Sequence, residues 1–261
     1  MADAPAWVVT AASVRGPDHA REGRPRQDAC AWSAEGGRLV AAVADGAGSA
    51  SLSREGARVC SAAVVDALSG LTAPPFGEDD EEDEAVRGAV EGAIADARAA
   101  LECRLDESGA GASLRDYAAT VVGVWAEGDR GWLFHIGDGA AAAARALDPA
   151  DSVVSPPENG RFAEQTYFFT DRAWRRRLRI TPFSGRDLVV LATDGAGSFS
   201  FAPRWRGLEA EFVGPLARHL DGRPPAAARR TLARVLRAPG ARAISGDDKT
   251  LVLARLKGAG G

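Results

Sequence analysis

The sequence predicts an α+β domain built from layered antiparallel sheets, and three observations carry that prediction. Short apolar runs rich in valine and alanine group before and after two stretches of helical periodicity, without strict strand–helix alternation. Of the 261 residues, 46% are apolar, enough to bury a full core in one large domain. Three of the apolar runs end in the same way, in an aspartate followed by glycine.

Runs at 7–14, 29–33 and 38–44, bounded by glycine, proline and charge, predict the first strands. From Leu52 the residues Gly56, Cys60, Ala63, Val64, Ala67 and Leu68 form one helical stripe, and Val86, Val90, Ala93, Ile94, Ala97, Leu101 and Leu105 form a second. Between them LTAPPFGEDDEEDE carries prolines, glycine and dense charge, so residues of about 74–84 are expected as an acidic surface loop. ATVVGVWA, GWLFHI and AAAARA then predict consecutive antiparallel strands, the last two joined by the turn Gly137-Asp138-Gly139. Residues 147–186 read as irregular, a flap or insertion. DLVVLAT and TLVLARL predict two further strands around a helical stretch from Leu208 to Leu236, broken at Pro215 and at Pro224-Pro225.

Composition narrows the function classes. The net charge is −4, of which Glu78–Glu84 contributes −7, so the remainder carries +3, too little to suggest nucleic acid. The acidic run reads as solvated rather than as a metal site, since consecutive carboxylates repel and cannot all face one ion. The basic run Arg175, Arg176, Arg177 and Arg179 reads as an exposed face, with a phosphorylated partner as its functional alternative. The opening segment lacks a secretory pattern and no stretch is long enough to cross a bilayer. Cys30, Cys60 and Cys103 are far apart and in no metal spacing, which fits a soluble protein of a reducing cytoplasm.

The chemistry is concentrated in the acidic strand ends. LVAAVADGAGS ends at Asp45, LFHIGDGA at Asp138 and LVVLATDGAGS at Asp194, while Asp247-Asp248 precedes TLVLAR. Asp-Gly pairs commonly make turns, and one alone would mean little. Four that converge at one sheet edge would suit Mg²⁺ or Mn²⁺, hard ions that take oxygen ligands, with glycine letting a hydrated ion or a phosphate come close.

Read in order, GRPRQDA, VADGAGS, AATVVGVW, HIGDGAA, VVLATDGAGS and SGDDKTLVL resemble the motifs of the PPM family, the metal-dependent type-2C serine/threonine protein phosphatases. The resemblance spans about residues 8–256, and ENGRFAEQTYFFTD together with Gln-Asp in place of Glu-Asp is similar to a divergent bacterial branch. It implies a four-layer α/β/β/α sandwich of two antiparallel β-sheets flanked by helices. It also implies a bacterial phosphoserine and phosphothreonine phosphatase that reverses a serine/threonine kinase, using Mn²⁺ or Mg²⁺ and a water shared by two ions. By the same resemblance Asp45 bridges the two ions, the Gly46 carbonyl binds the second, and Asp194 and Asp247 complete the first. Asp28 is matched to a residue holding metal-bound water, and Asp138 to a ligand of a third ion. A monomer is expected, acting on a phosphoprotein, with neither nucleic acid nor membrane as partner.

The chain departs from the pattern at defined points. Gln27 stands where a glutamate binds the second ion, and its amide oxygen brings no charge. Ser198 replaces an aspartate that would serve the third ion, and Asp248 adds a charge that partly offsets Gln27. Arg24 is the favoured phosphate-binding cation, with Arg15 and Arg26 as competitors, and His19 is the candidate acid for the leaving oxygen. His135 and His219 are expected to be structural, and Thr120 to pack behind the metals. Two alternatives stay open: a catalytically weak pseudophosphatase that binds a phospho-ligand or nucleotide as a regulatory module, and a hydrolase of small phosphorylated metabolites.

Overall fold

The structure, a computed structural model, describes residues 5–74, 80–108, 111–158 and 166–258. Ten strands form two antiparallel five-stranded sheets. One contains β2 (Ala29–Glu35), β3 (Arg38–Ala44), β4 (Val121–Glu127), β5 (Arg130–Ile136) and β8 (Arg179–Phe183), in that spatial order. The other runs β1 (Ala6–Val14), β10 (Lys249–Lys257), β9 (Leu188–Ala192), β6 (Ala140–Arg145) and β7 (Asp148–Ser155). Helices α2 (Ser53–Ser69) and α3 (Asp80–Ser108) cover the first sheet. The second is covered by α4 (Asp194–Ser200), α5 (Ala210–Leu220) and α6 (Pro225–Leu236), and α7 (Pro239–Ile244) packs against α4 and α6. The short α1 (Pro17–Arg21) follows β1. This is the expected α/β/β/α sandwich.

The central strands read as unbroken apolar runs because both of their faces are buried. Along β3, Val40, Ala42 and Ala44 face the helices, whereas Leu39, Ala41 and Val43 enter the space between the sheets. In β9, Leu188, Val190 and Ala192 meet the outer helices, and Val189 and Leu191 meet the other sheet. Alternation of hydrophobic and polar residues is therefore absent where it would mark a half-exposed strand.

Several expectations are corrected. β5 and β6 lie in different sheets, so Gly137-Asp138-Gly139 is a crossing between layers rather than a hairpin turn; Gly137, at φ 114°, supplies a backbone angle that L side chains rarely adopt. The segment 147–186 contains β7 and β8, edge strands that tolerate Pro149 and Pro182 because an edge does not need every N–H. Of the acidic run, Asp80–Glu84 forms the start of α3, where a helix N-terminus favours negative charge, and 75–79 lie outside the described residues. Pro215 sits inside α5 rather than ending it. The arginine run is largely spent on the fold: Arg175 pairs with Glu91 and stacks on Trp174, and Arg177 pairs with Glu158 over Tyr167. Arg179 donates to His135 Nδ1 at 2.9 Å, and burial together with that charge holds the fully buried His135 well below its usual pKa.

Close packing of α2 against the 3-10 turn Leu114–Tyr117 depends on Gly56, since a Cβ there would lie 2.0 Å from the Tyr117 carbonyl oxygen. Gly56→Ala is expected to cost about 2 kcal/mol in urea unfolding. Gly88→Ala, on the exposed side of α3 with nothing within 4 Å, should instead add up to about 1 kcal/mol. Equal effects of the two substitutions would contradict this packing.

Candidate active site

Antiparallel pairing gathers the acidic strand ends at one edge of the sandwich. The end of β3 lies beside the start of β4 through Val43↔Val122, the end of β5 beside the same start through Val121↔Ile136, and the start of β2 beside Ala44. In the other sheet Ala192, at the end of β9, pairs with both Leu251 and Ala140. Asp45, Asp138, Asp194 and Asp247 thus emerge side by side around a cavity of about 420 Å³. Its walls also include His19, Gln27, Gly46, Thr120, Thr166 and Phe168.

Each group is held from behind. Thr120 Oγ1 accepts the Asp45 N–H at 3.0 Å and the Thr120 N–H binds the Asp45 carbonyl at 2.8 Å, so Thr120 fixes the turn by hydrogen bonding rather than by packing alone. Gly46 leaves no room for a side chain: a Cβ would sit 2.7 Å from the Ser53 carbonyl oxygen. Gln27 donates its amide N–H to Ser53 Oγ at 2.7 Å, which leaves its buried Oε1 without a partner. Asp138 accepts from Thr166 at one oxygen, 2.5 Å away, while its other oxygen is buried and unpartnered. Asp194 opens α4 and accepts the Gly195 N–H.

Two predicted residues do not line the cavity. Asp28 lies a layer deeper, 2% exposed, accepting Thr193 Oγ1 at 2.8 Å and Thr250 Oγ1 at 2.7 Å on one oxygen while the other is buried without a partner. Arg24 pairs with Glu22 and donates to the carbonyl of Gly48 at the rim, at 3.3 Å. Its competitors serve the backbone: Arg15 donates to His19 and Ala20 carbonyls, and Arg26 to those of Asp28 and Ser13. Ser198 is exposed and not part of the cavity, and His219 is exposed on α5. His19 is not an exposed loop residue but a buried one on α1, with Nδ1 2.9 Å from Asp248 and Nε2 3.5 Å from Asp247.

Asp248 does not offset Gln27 in the cavity. It is 1% exposed and spends both oxygens on backbone, accepting Gly16 N–H at 2.7 Å and Gln27 N–H at 2.6 Å. Beside it the buried Lys249 donates to the carbonyls of Ser245 and Asp247 at 2.7 and 2.8 Å. Sequence reasoning missed the anchors Asp248 and Lys249 and the hydroxyls of Ser53, Thr166, Thr193 and Thr250. The adjacency of Thr193 to Asp194, and of Lys249 and Thr250 to the aspartate pair, was the available signal.

The electrostatics follow from crowding. Burial, then the charges of Asp28, Asp194 and Asp247, pushes Asp45 well above the usual carboxylate range. Burial also lifts Asp28 to about 7, against hydrogen bonds from Thr250 and Thr193 that favour its charged form. Asp194 rises to about 6 through burial and the charges of Asp247 and Asp138. Among the described residues no lysine or arginine lines the cavity to relieve the repulsion. Hard oxygen donors, unpartnered buried oxygens on Gln27 and Asp138, and uncompensated negative charge are together what Mg²⁺ or Mn²⁺ would fit.

A carboxylate with a raised folded-state pKa holds its proton in the folded chain when the unfolded chain has lost it, so stability falls as pH rises between the two values. The metal-free protein is therefore expected to lose stability relative to Asp28→Asn between about pH 4, the unfolded value, and about pH 7. Melting curves of both proteins in EDTA across that window check this; parallel curves would refute it.

Comparisons with known proteins bear on the family and the fold. Residues 15–237 match the family model described as Protein phosphatase 2C. Serine/threonine-protein phosphatase 3 of Escherichia coli (strain K12) is 29% identical over 268 residues, covering 95% of this chain and 98% of that protein. The catalytic domain of the serine/threonine phosphatase PstP, solved with two manganese ions, superposes with a TM-score of 0.59 at 18% identity, over 97% of this chain and 99% of that one. RsbX, solved with magnesium, gives 0.55 at 16% identity, over 97% and 96%. The extent of the family match, over most of the chain and every acidic strand end but the last, places this protein in the protein phosphatase 2C family.

Proposed function

We propose that the chain hydrolyses phosphoserine and phosphothreonine esters of proteins with Mn²⁺ or Mg²⁺ held at the acidic cavity. The observation that carries this reading is the convergence of Asp45, Asp194, Asp247 and Asp138 with the free oxygen of Gln27 on one cavity that, among the described residues, no lysine or arginine lines. Asp45, Asp194 and Asp247 would hold the ions, with Gln27, the Gly46 carbonyl and Asp138 at the flanks. Bound there, two divalent ions supply the positive charge that acidifies a water and neutralises phosphoryl oxygens.

The chain's own groups do the positioning. Thr120 and Ser53 fix Asp45 and the Gln27 amide, so their oxygens are set before any ligand arrives. Asp28, behind Asp45 and held by two threonine hydroxyls, keeps a proton or a charge in reserve at the back of the site. His19 presents Nε2 on the cavity wall beside Asp247 and is assigned the proton for the leaving serine or threonine oxygen. Arg24, which pairs with Glu22 and donates to the Gly48 carbonyl at the rim, is assigned to the substrate phosphate and would have to turn from Glu22 to meet it. The partner is then a bacterial serine/threonine kinase or its target, met by a monomer in the cytoplasm, where the three free thiols would stay reduced. No helix among the described residues is long and apolar enough to cross a membrane.

Purified protein assayed with p-nitrophenyl phosphate and a phosphothreonine peptide should turn over both with Mn²⁺ or Mg²⁺ and neither in EDTA. Asp45→Asn and Asp194→Asn should each remove activity at least about a hundredfold. His19→Gln should slow the peptide by about a hundredfold while sparing p-nitrophenyl phosphate, whose leaving group needs no proton. Folded protein without metal-dependent turnover would overturn the reading, and equal losses on both substrates would remove His19 from the acid role.

A further inference from the structure

Both sheets end on the same side of the sandwich, in β1 and β2, each of which pairs with one neighbour only. Two hollows of about 340 and 450 Å³ run along these edge strands, sharing Ala11, Trp32 and Arg229 and no residue with the acidic cavity. Their small-residue lining includes Ala12, Ala29 and Ala31, and Trp32, 41% exposed, belongs to both. The rims are cationic: Arg58 on α2, Arg229 and Arg230 on α6, and Arg26 at the near end. Among the described residues no carboxylate lines either hollow and no ion pair engages Arg229 or Arg230, while Arg58 lies 3.8 Å from Glu55. Helix α6 itself contains no acidic residue.

We propose that this arginine-rimmed groove docks an extended acidic peptide segment of a partner protein. Unpaired edge strands favour an extended ligand, whose alternate side chains point to opposite sides. One row would lie on the alanine and indole floor while the other meets the guanidinium groups, which pair with carboxylates by two parallel hydrogen bonds. A long polyanion fits less well, because the chain as a whole carries −4 and would repel it away from the groove. Arg26 donates to the Asp28 carbonyl, so a docked segment lies alongside the start of the strand that follows Gln27 and Asp28. The inference concerns a surface separate from the cavity and stands or falls independently of the phosphatase reading.

The test uses full-length protein in EDTA and a fluorescein-labelled peptide of alternating glutamate and valine, followed by fluorescence anisotropy at low and moderate salt. Saturable, salt-sensitive binding is expected, weakened about tenfold by Arg229→Glu with Arg230→Glu. Arg58→Glu, across the groove on α2, should weaken it as well, and melting curves establish that the variants fold. A lysine–valine peptide should not bind. Unchanged affinity in both variants would overturn the proposal. So would displacement of the peptide by oligothymidylate at equal concentration, which would make the groove a nucleic-acid site. A concentration-dependent dimer that the variants abolish would also overturn it, making the occupant a second copy of this chain.

Discussion

Mutual repulsion among buried carboxylates is the constraint around which the site is built. Asp45 lies within the fields of Asp28, Asp194 and Asp247 together, and Asp194 within those of Asp247 and Asp138. Such a cluster would scatter if it stood on flexible loops, because every carboxylate gains by moving toward water. The fold prevents this by mounting Asp45 and Asp194 at the ends of β3 and β9, strands buried on both faces and paired on either side, with Asp247 just before the equally central β10. Cost is moderated locally: Thr193 and Thr250 give Asp28 two donors, and Thr120 and Asp45 tie their backbones together.

A second network joins the ends of the chain so that both halves of the cluster stay in register. Asp248 reaches from the loop before β10 to the N–H groups of Gly16 and Gln27, and β1 and β10 pair along their whole lengths. The approach is so close that a Cβ on Gly16 would lie 2.2 Å from the Asp247 backbone, and one on Gly195 2.0 Å from the Asp248 carbonyl oxygen. Lys249, its ammonium held by the carbonyls of Ser245 and Asp247, adds a positive charge near Asp247 and Asp248 from inside the protein and does not line the cavity. Position and potential therefore come from different residues. Asp247 and Asp248 are adjacent in sequence, yet one faces the cavity and the other is consumed by the scaffold.

That division explains how much could be read beforehand. The strands and the two long helices were legible because β3, β4 and β9 are apolar throughout and α2 and α3 keep one stripe. The acidic strand ends were legible because Asp-Gly recurs after three strands. The assignment of β5 and β6 to different sheets was not, since an apolar strand before and after a glycine turn looks the same whether the chain folds back or crosses over. The depth of Asp28 and the roles of Ser53 and Thr166 depend on contacts between residues 26 or more positions apart, which no local pattern records.

The neutral residues of the site then set where its charge is strongest. Ser53 takes the amide hydrogen of Gln27 and so turns an uncharged oxygen inward on one flank, while Thr166 occupies one oxygen of Asp138 on the other. Between them Asp45, Asp194 and Asp247 face the same space, and burial first, then neighbouring carboxylate charge, raises Asp45 and Asp194. Carboxylate groups are therefore densest at the centre and give way to a neutral amide at Gln27, while Asp138 adds its own charge on the other flank. A divalent ion placed at the centre relieves the most repulsion per bond, so affinity and charge relief peak at the same point. An ion on the Gln27 flank would meet an amide dipole in place of a charge, whereas on the other flank it would meet Asp138 with one oxygen already taken by Thr166.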